Sequence, residues 1–192
     1  MRSINLNDVQ ENNNKIQAGG YVALITKVND VPIGSNPQKP NSGDYLRIEF
    51  DIAEGPMSGY YGDMFNSLGF WGGRLIRSYK PKALPMFKQF IGQVEKNNPG
   101  FHWNYDGEND EQTLVGKFIG VILSEEEYRG NDGSIKTRIQ CDRTATVEDI
   151  HNGKFKVPEK KTLQPSVGAV DSIQVVDSTQ TTMSQINDDL PI

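Results

Sequence analysis

Cysteine occurs once in the 192 residues, at Cys141, so no intramolecular disulfide braces the chain. A fold stapled by disulfides is excluded, and this usage suits a reducing compartment. Histidine occurs twice, at His102 and His151, and two histidines with one cysteine build no zinc site of recognised spacing. No apolar run approaches the roughly 20 residues a membrane-crossing helix needs. The opening Met1-Arg2-Ser3-Ile4-Asn5-Leu6 has one base and no apolar signal core. A cytoplasmic protein is expected, with no metal and no cofactor.

Catalytic signatures are missing as well. There is no HExxH, GxSxG, Walker or GxGxxG pattern. Phe70-Trp71-Gly72-Gly73-Arg74 is Gly-rich but lacks the Lys-Ser/Thr that would hold phosphate and metal. The chain is therefore not expected to be an enzyme. A metal-dependent nuclease using Asp51 or Asp63 is the rival, against the plainer reading of these carboxylates as solvated edge and loop acids.

A basic excess is also lacking. Net charge is −5, with a pI near 5.1 and mean hydropathy of −0.58. The deficit is uneven. Residues 163–192 hold four acids, Asp171, Asp177, Asp188 and Asp189, and no Lys or Arg, which leaves the first 162 residues with 21 acids and 20 bases. A near-neutral body can still carry a local basic groove, because binding responds to local potential.

Three segments follow from patterning: a polar, Asn-rich leader over residues 1–18, a folded domain over 19–160, and an acidic tail over 161–192. The tail is rich in Ser, Thr and Gln with little to pack, and disorder is expected there. Within the domain, residues 21–28 read as a β-branched strand buried on both faces. Residues 30–43 hold Pro32, Pro37 and Pro40 and form a long loop. Residues 45–52 alternate clearly, with Leu46, Ile48, Phe50 and Ile52 facing one way and Tyr45, Arg47, Glu49 and Asp51 the other. A third, shorter strand is expected over 60–65. Leu84, Phe87, Phe90, Ile91 and Val94 recur at helical spacing. Strands are expected over 114–123 and 135–146, joined by an Asn131-Asp132-Gly133 turn, with a helical turn at 147–151.

The order β-β-β-α-β-β predicts an all-β domain, a five-stranded OB-fold barrel with one helix between strands 3 and 4. Such barrels hold oligonucleotides on strands 2 and 3 and in the loops between strands 1–2 and 4–5. Single strands are bound by stacking bases on aromatic rings while Arg and Lys follow the phosphates. That chemistry points to Tyr45, Arg47, Tyr60, Tyr61, Phe65, Trp71, Arg74, Arg77 and Lys80. Trp71 either stacks on a base that its flanking glycines admit, or plugs one end of the barrel. Lys136 and Arg138, with Arg143, extend a phosphate track or form an ordinary solvated face. Lys39 sits in the first long loop as a clamp or as a plain surface charge. Lys154, Lys156, Lys160 and Lys161 either touch DNA or dock the chain's own acidic tail.

The chain ends Asn187-Asp188-Asp189-Leu190-Pro191-Ile192. This tip resembles that of bacterial and phage single-stranded DNA-binding proteins, which close on acids, an aliphatic residue, proline and phenylalanine. The resemblance implies docking on replication, recombination and repair proteins. Asp188 and Asp189 would supply charge, Leu190 and Pro191 shape, and Ile192 would stand where the family has phenylalanine, filling less of an aromatic pocket. The body resembles a family of phage and prophage proteins of Gram-positive bacteria. That likeness runs through Ala18-Gly19-Gly20-Tyr21-Val22, Tyr45-Leu46-Arg47-Ile48-Glu49-Phe50-Asp51-Ile52-Ala53-Glu54-Gly55, Gly69-Phe70-Trp71-Gly72-Gly73-Arg74, Leu114-Val115-Gly116-Lys117 and Gly130-Asn131-Asp132-Gly133. The implied function is sequence-independent binding of single-stranded DNA in phage replication or recombination, with homo-oligomers compatible. The alternative is a protein–protein adaptor of the same machinery that binds no DNA.

Overall fold

The computed structural model describes residues 15–39 and 41–163. The tail tip and the first 14 residues of the leader lie outside them. In chain order the elements are β1 (Gly19–Val31), β2 (Tyr45–Ile52), α1 (Tyr60–Leu68), β3 (Arg74–Ser78), α2 (Leu84–Asn97), β4 (Phe118–Arg129), β5 (Ile135–Ala145) and α3 (Val147–His151). The strands form one antiparallel sheet in the order β3-β2-β1-β4-β5. The protein is thus mostly sheet, with a few helices. Among the described residues β3 and β5 share no ladder, so the sheet stays open along that seam. No helix among the described residues is long and apolar enough to cross a membrane.

Alternation in β2 buries Leu46, Ile48, Phe50 and Ile52 almost completely. Ile25 and Val28 of β1 join them, with Ile119, Val121 and Leu123 of β4. Helix α2 covers this layer with Phe90, Ile91 and Val94, all fully buried, at the spacing that puts three side chains on one helical face. Each such side chain contributes roughly 1.5–3 kcal/mol on leaving water. Leu84, at the start of the same helix, stays 46% exposed and does not join the core.

Strand β1 shifts register between Ile25 and Lys27. Thr26 is the extra residue of a bulge, which leaves Ala23, Ile25 and Val28 facing inward although strict alternation would not allow it. This accounts for the partial alternation seen in the sequence.

The strand expected over 60–65 is a helix. Gly59 (φ 78°) and Gly69 (φ 67°), both in left-handed conformations, bracket nine α-helical residues, and the Gly69 amide returns to the Phe65 carbonyl at 2.8 Å. Gly59 has no side chain to cap the helix, and Asp51 of β2 takes over. Its carboxylate accepts from the Tyr61 and Gly62 amides at 2.8 and 3.0 Å. The third strand falls instead at β3, inside the Gly-rich stretch that follows.

Two other boundaries move. Glu111–Leu114 is a 3-10 turn begun by the Asp110 side chain, which accepts from the Gln112 amide, and β4 starts only at Phe118. At its far end β4 takes in Glu125 to Arg129, expected to be a connection, and pairs them with β5. The turn itself falls over 130–134, as expected, with Asp132 bonded to the Ser134 hydroxyl at 2.7 Å. Beyond α3 the chain stays attached through Leu163. The Phe155 ring covers Gly20, where a Cβ would lie 2.4 Å from it, and Lys161 bridges to Glu126 on the free edge of β4.

Candidate nucleic-acid interface

The sheet's outer face on β1, β2 and β3 follows from the register. Cross-strand partners lie side by side on one face, which gives three rows: Val31–Tyr45–Ser78, Asn29–Arg47–Ile76 and Lys27–Glu49–Arg74. The loop from Pro32 to Asp44 folds over one end of this face. It is pinned where it meets the strands by the Asp44 amide on the Val31 carbonyl at 2.7 Å and the Gly34 amide on the Ser42 carbonyl at 2.9 Å. Gly43 (φ 125°) has the Pro32 carbonyl 2.2 Å from where a Cβ would sit, so no larger residue fits. Between loop and sheet runs a groove of about 480 Å³, with Lys27, Asn29, Tyr45 and Arg47 as its floor and Ser35 and Asn36 on the loop side.

Charge on this face is unevenly spent. Arg74 lies 3.6 Å from Glu49 and 5.6 Å above the Phe70 ring. Arg47 points one guanidinium nitrogen at the Tyr45 hydroxyl, at 3.4 Å. Neither Arg47 nor Lys27 forms an ion pair among the described residues. Asp30 and Glu49 also line the groove, so its two cations are matched by two carboxylates. Exposed apolar side chains continue the face: Ile76 is 51% exposed, Phe70 56% and Phe65 50%. The Phe65 ring meets Trp71 edge-on at 6.1 Å.

Of the residues singled out from sequence, Tyr45, Arg47 and Arg74 come together on this face, while Trp71, met by Phe65, packs against the core. Lys80 is exposed just past β3. Tyr60 lines a different groove beside α1. Tyr61 is 2% exposed and packs edge-on against Phe50 at 5.6 Å, and burial raises its hydroxyl well above the ordinary tyrosine range. Arg77 is equally inward. It donates to the Ile76 carbonyl and the Thr144 hydroxyl at 2.9 and 3.0 Å, stands 5.3 Å over Phe90, and has its pKa lowered by desolvation. Neither side chain presents a surface to a strand of DNA. For Arg77 the reason is parity: Arg74 and Arg77, three apart on a strand, cannot share a face.

On β5 the basic side chains are already paired. Arg138 is held by Glu126 at 2.6 Å, Lys136 by Asp132 at 3.0 Å and Arg143 by Asp142 at 3.0 Å. In the later basic cluster Lys160 meets Glu127 and Lys161 meets Asp142. Lys39 is exposed in the loop. The indole N–H of Trp71 donates to the Gly73 carbonyl at 3.0 Å. Its glycines do not open a path for a base, because a Cβ on Gly73 would lie 2.1 Å from the Phe50 carbonyl and one on Gly72 3.1 Å from the Tyr61 ring. Cys141 packs against the core and desolvation pushes its thiol up to about 12.

Sequence reasoning missed Lys27, Asn29 and Ile76. Lys27 reaches the outer face only because of the bulge at Thr26. Ile76 stands outside because Leu75 and Arg77 stand inside.

Among the described residues no three His, Cys, Asp or Glu side chains come together as a metal site. Asp51 is engaged as the cap of α1. Asp51→Ala is expected to cost about 1–2 kcal/mol, the usual range for a lost helix cap, read as a lower urea midpoint at unchanged slope.

No protein-family model matches this chain, and no curated protein matches it.

Proposed function

We propose that this protein binds single-stranded DNA without sequence preference on the outer face of β1, β2 and β3, serving phage replication or recombination in the host bacterial cytoplasm. The observation that carries this reading is the groove under the 32–44 loop. Its lining combines Tyr45 with Arg47 and Lys27, two cations that form no ion pair among the described residues, alongside the carboxylates of Asp30 and Glu49, the latter drawn toward Arg74. Bases would stack on Tyr45 and Phe70 and lie against Ile76, while Lys27, Arg47 and Arg74 follow the phosphates. From Tyr45 to Asp51 the track runs about 20 Å along β2, room for on the order of 4 nucleotides, the low end for one OB domain. The strand order and the helix between β3 and β4 support an OB-type body whose last seam is joined by the Arg77–Thr144 side-chain contact. The tip Asp188 to Ile192 would recruit partner proteins.

Fluorescence anisotropy with a labelled 35-mer of dT and a matched duplex tests this. Binding to the single strand alone is expected. Three phosphates engaged give a log–log salt slope of about −2, at roughly −0.7 per phosphate for single strands. No binding at low salt overturns the proposal and favours the adaptor reading, for which the exposed Phe65, Leu68 and Phe70 are the natural contact.

A further inference from the structure

A second groove, of about 390 Å³, runs beside α1 and shares no lining residue with the first. Pro56, Met57, Tyr60, Met64 and Leu68 give it an apolar floor, and Lys15 and Asp63 put one charge of each sign on its wall. Met57, Tyr60 and Met64 pack against the core on their inner sides, whereas Leu68 is 74% exposed. Methionines and an exposed leucine flanking a tyrosine suit an aliphatic occupant, because the thioethers adapt to its shape.

The route of the chain points to the occupant. Ile16 is buried in the core at 6% exposure, and Lys15, its neighbour, is part of the groove wall. The 14 residues before it therefore start at the rim. They contain Ile4 and Leu6, which an extended chain places on one face, with Val9 nearer the exit. Nine positions separate Leu6 from Lys15, a reach of up to about 30 Å in an extended chain. The order of charges along the sequence suits this: Asp8 and Glu11 come between Leu6 and Lys15, and Arg2, opposite in charge to Asp63, comes before Ile4.

We propose that the leader of the same chain occupies this groove, laying Ile4 and Leu6 against Met57, Tyr60 and Met64. A segment tethered at the rim meets the groove at an effective concentration in the millimolar range, an advantage no free competitor shares. The leader would then brace α1, and through the Phe65–Trp71 contact the adjoining end of the outer sheet face.

Full-length protein labelled at methionine methyls provides the test, without DNA, so its outcome is independent of nucleic-acid binding. A spin label is attached through Asn5→Cys in a Cys141→Ala background, and Met57, Met64 and Met86 are followed by NMR in dilute solution. Selective broadening of Met57 and Met64 is expected, with Met86 on α2 spared, and adding Ile4→Ser and Leu6→Ser should restore both signals. Equal broadening of all three, or of none, overturns the proposal. So does broadening that appears only when spin-labelled copies are mixed with isotope-labelled ones, which would assign the groove to the leader of a second copy.

Discussion

Tyr45→Ala combined with Arg47→Ala is expected to weaken binding to oligo-dT about 100-fold. Losing one stacked base costs roughly 1–3 kcal/mol, a released phosphate contact adds to it, and about 1.4 kcal/mol is tenfold in affinity. Both side chains sit on the solvent side of β2, opposite the buried Leu46 and Ile48, so the double variant should unfold at nearly the wild-type urea concentration. The salt slope should become shallower by about 0.7, the share of one phosphate. Arg138→Ala is the control. Its guanidinium is committed to Glu126, and its loss should leave affinity within about twofold, since an exposed pair contributes little. An equal loss in Arg138→Ala would move the binding site to the β4–β5 hairpin.

Gly73→Ala is expected to destabilise the fold by about 3 kcal/mol, the upper part of the range for overpacking a tight site. The added methyl would lie 2.1 Å from the Phe50 carbonyl and 2.6 Å from the Tyr61 ring. The first of these is main chain within β2. It is also bonded into the sheet, since the Phe50 amide donates to the Gly73 carbonyl at 2.9 Å. No rotamer change relieves the contact, so β2 and β3 would have to separate locally. Gly55→Ala, at a glycine with nothing within 4 Å of a Cβ but φ of 78°, is the comparison. It should cost about 1–2 kcal/mol through backbone strain alone. Equal denaturation midpoints for the two variants would show that the sheet yields at Gly73 more easily than its backbone bonding implies.

Much of this architecture is legible from residues alone. Period-two alternation in β2 assigns every side chain to its face, because a half-buried strand tolerates no slip. Phe90, Ile91 and Val94 announce the buried face of α2, and Asn131-Asp132-Gly133 the turn of the last hairpin. Helix α1 is harder to read. Tyr60, Tyr61 and Phe65 are residue types enriched in strands, and their helix depends on a cap supplied from Asp51, ten positions upstream of Tyr61. Local propensity carries no trace of such a contact. The same limit applies to Arg77, whose place inside follows from strand parity and from partners on β5, while its residue type argues for the surface. On the candidate face, Tyr45 and Arg47 were legible because their strand was. Lys27 is hidden by a bulge, and of the two readings the sequence allows for the bases on β5, their carboxylate partners favour the ordinary solvated face.

The bulge in β1 makes chain length and residue identity separate constraints. Upstream of Thr26 the odd-numbered Ala23 and Ile25 point inward, and downstream the even-numbered Val28 does. Thr26 itself is exposed and belongs to neither series. Substitutions at this position have wide latitude, and deletion of Thr26 would leave Lys27 outside and Val28 inside, because their partners Glu49 and Ile48 follow Phe50, the partner of Ile25, without a gap; pairing Thr26 into a regular strand would instead turn Lys27 toward the core and Val28 toward solvent. In this stretch the ladder, not the count of residues, decides which side chains face the core.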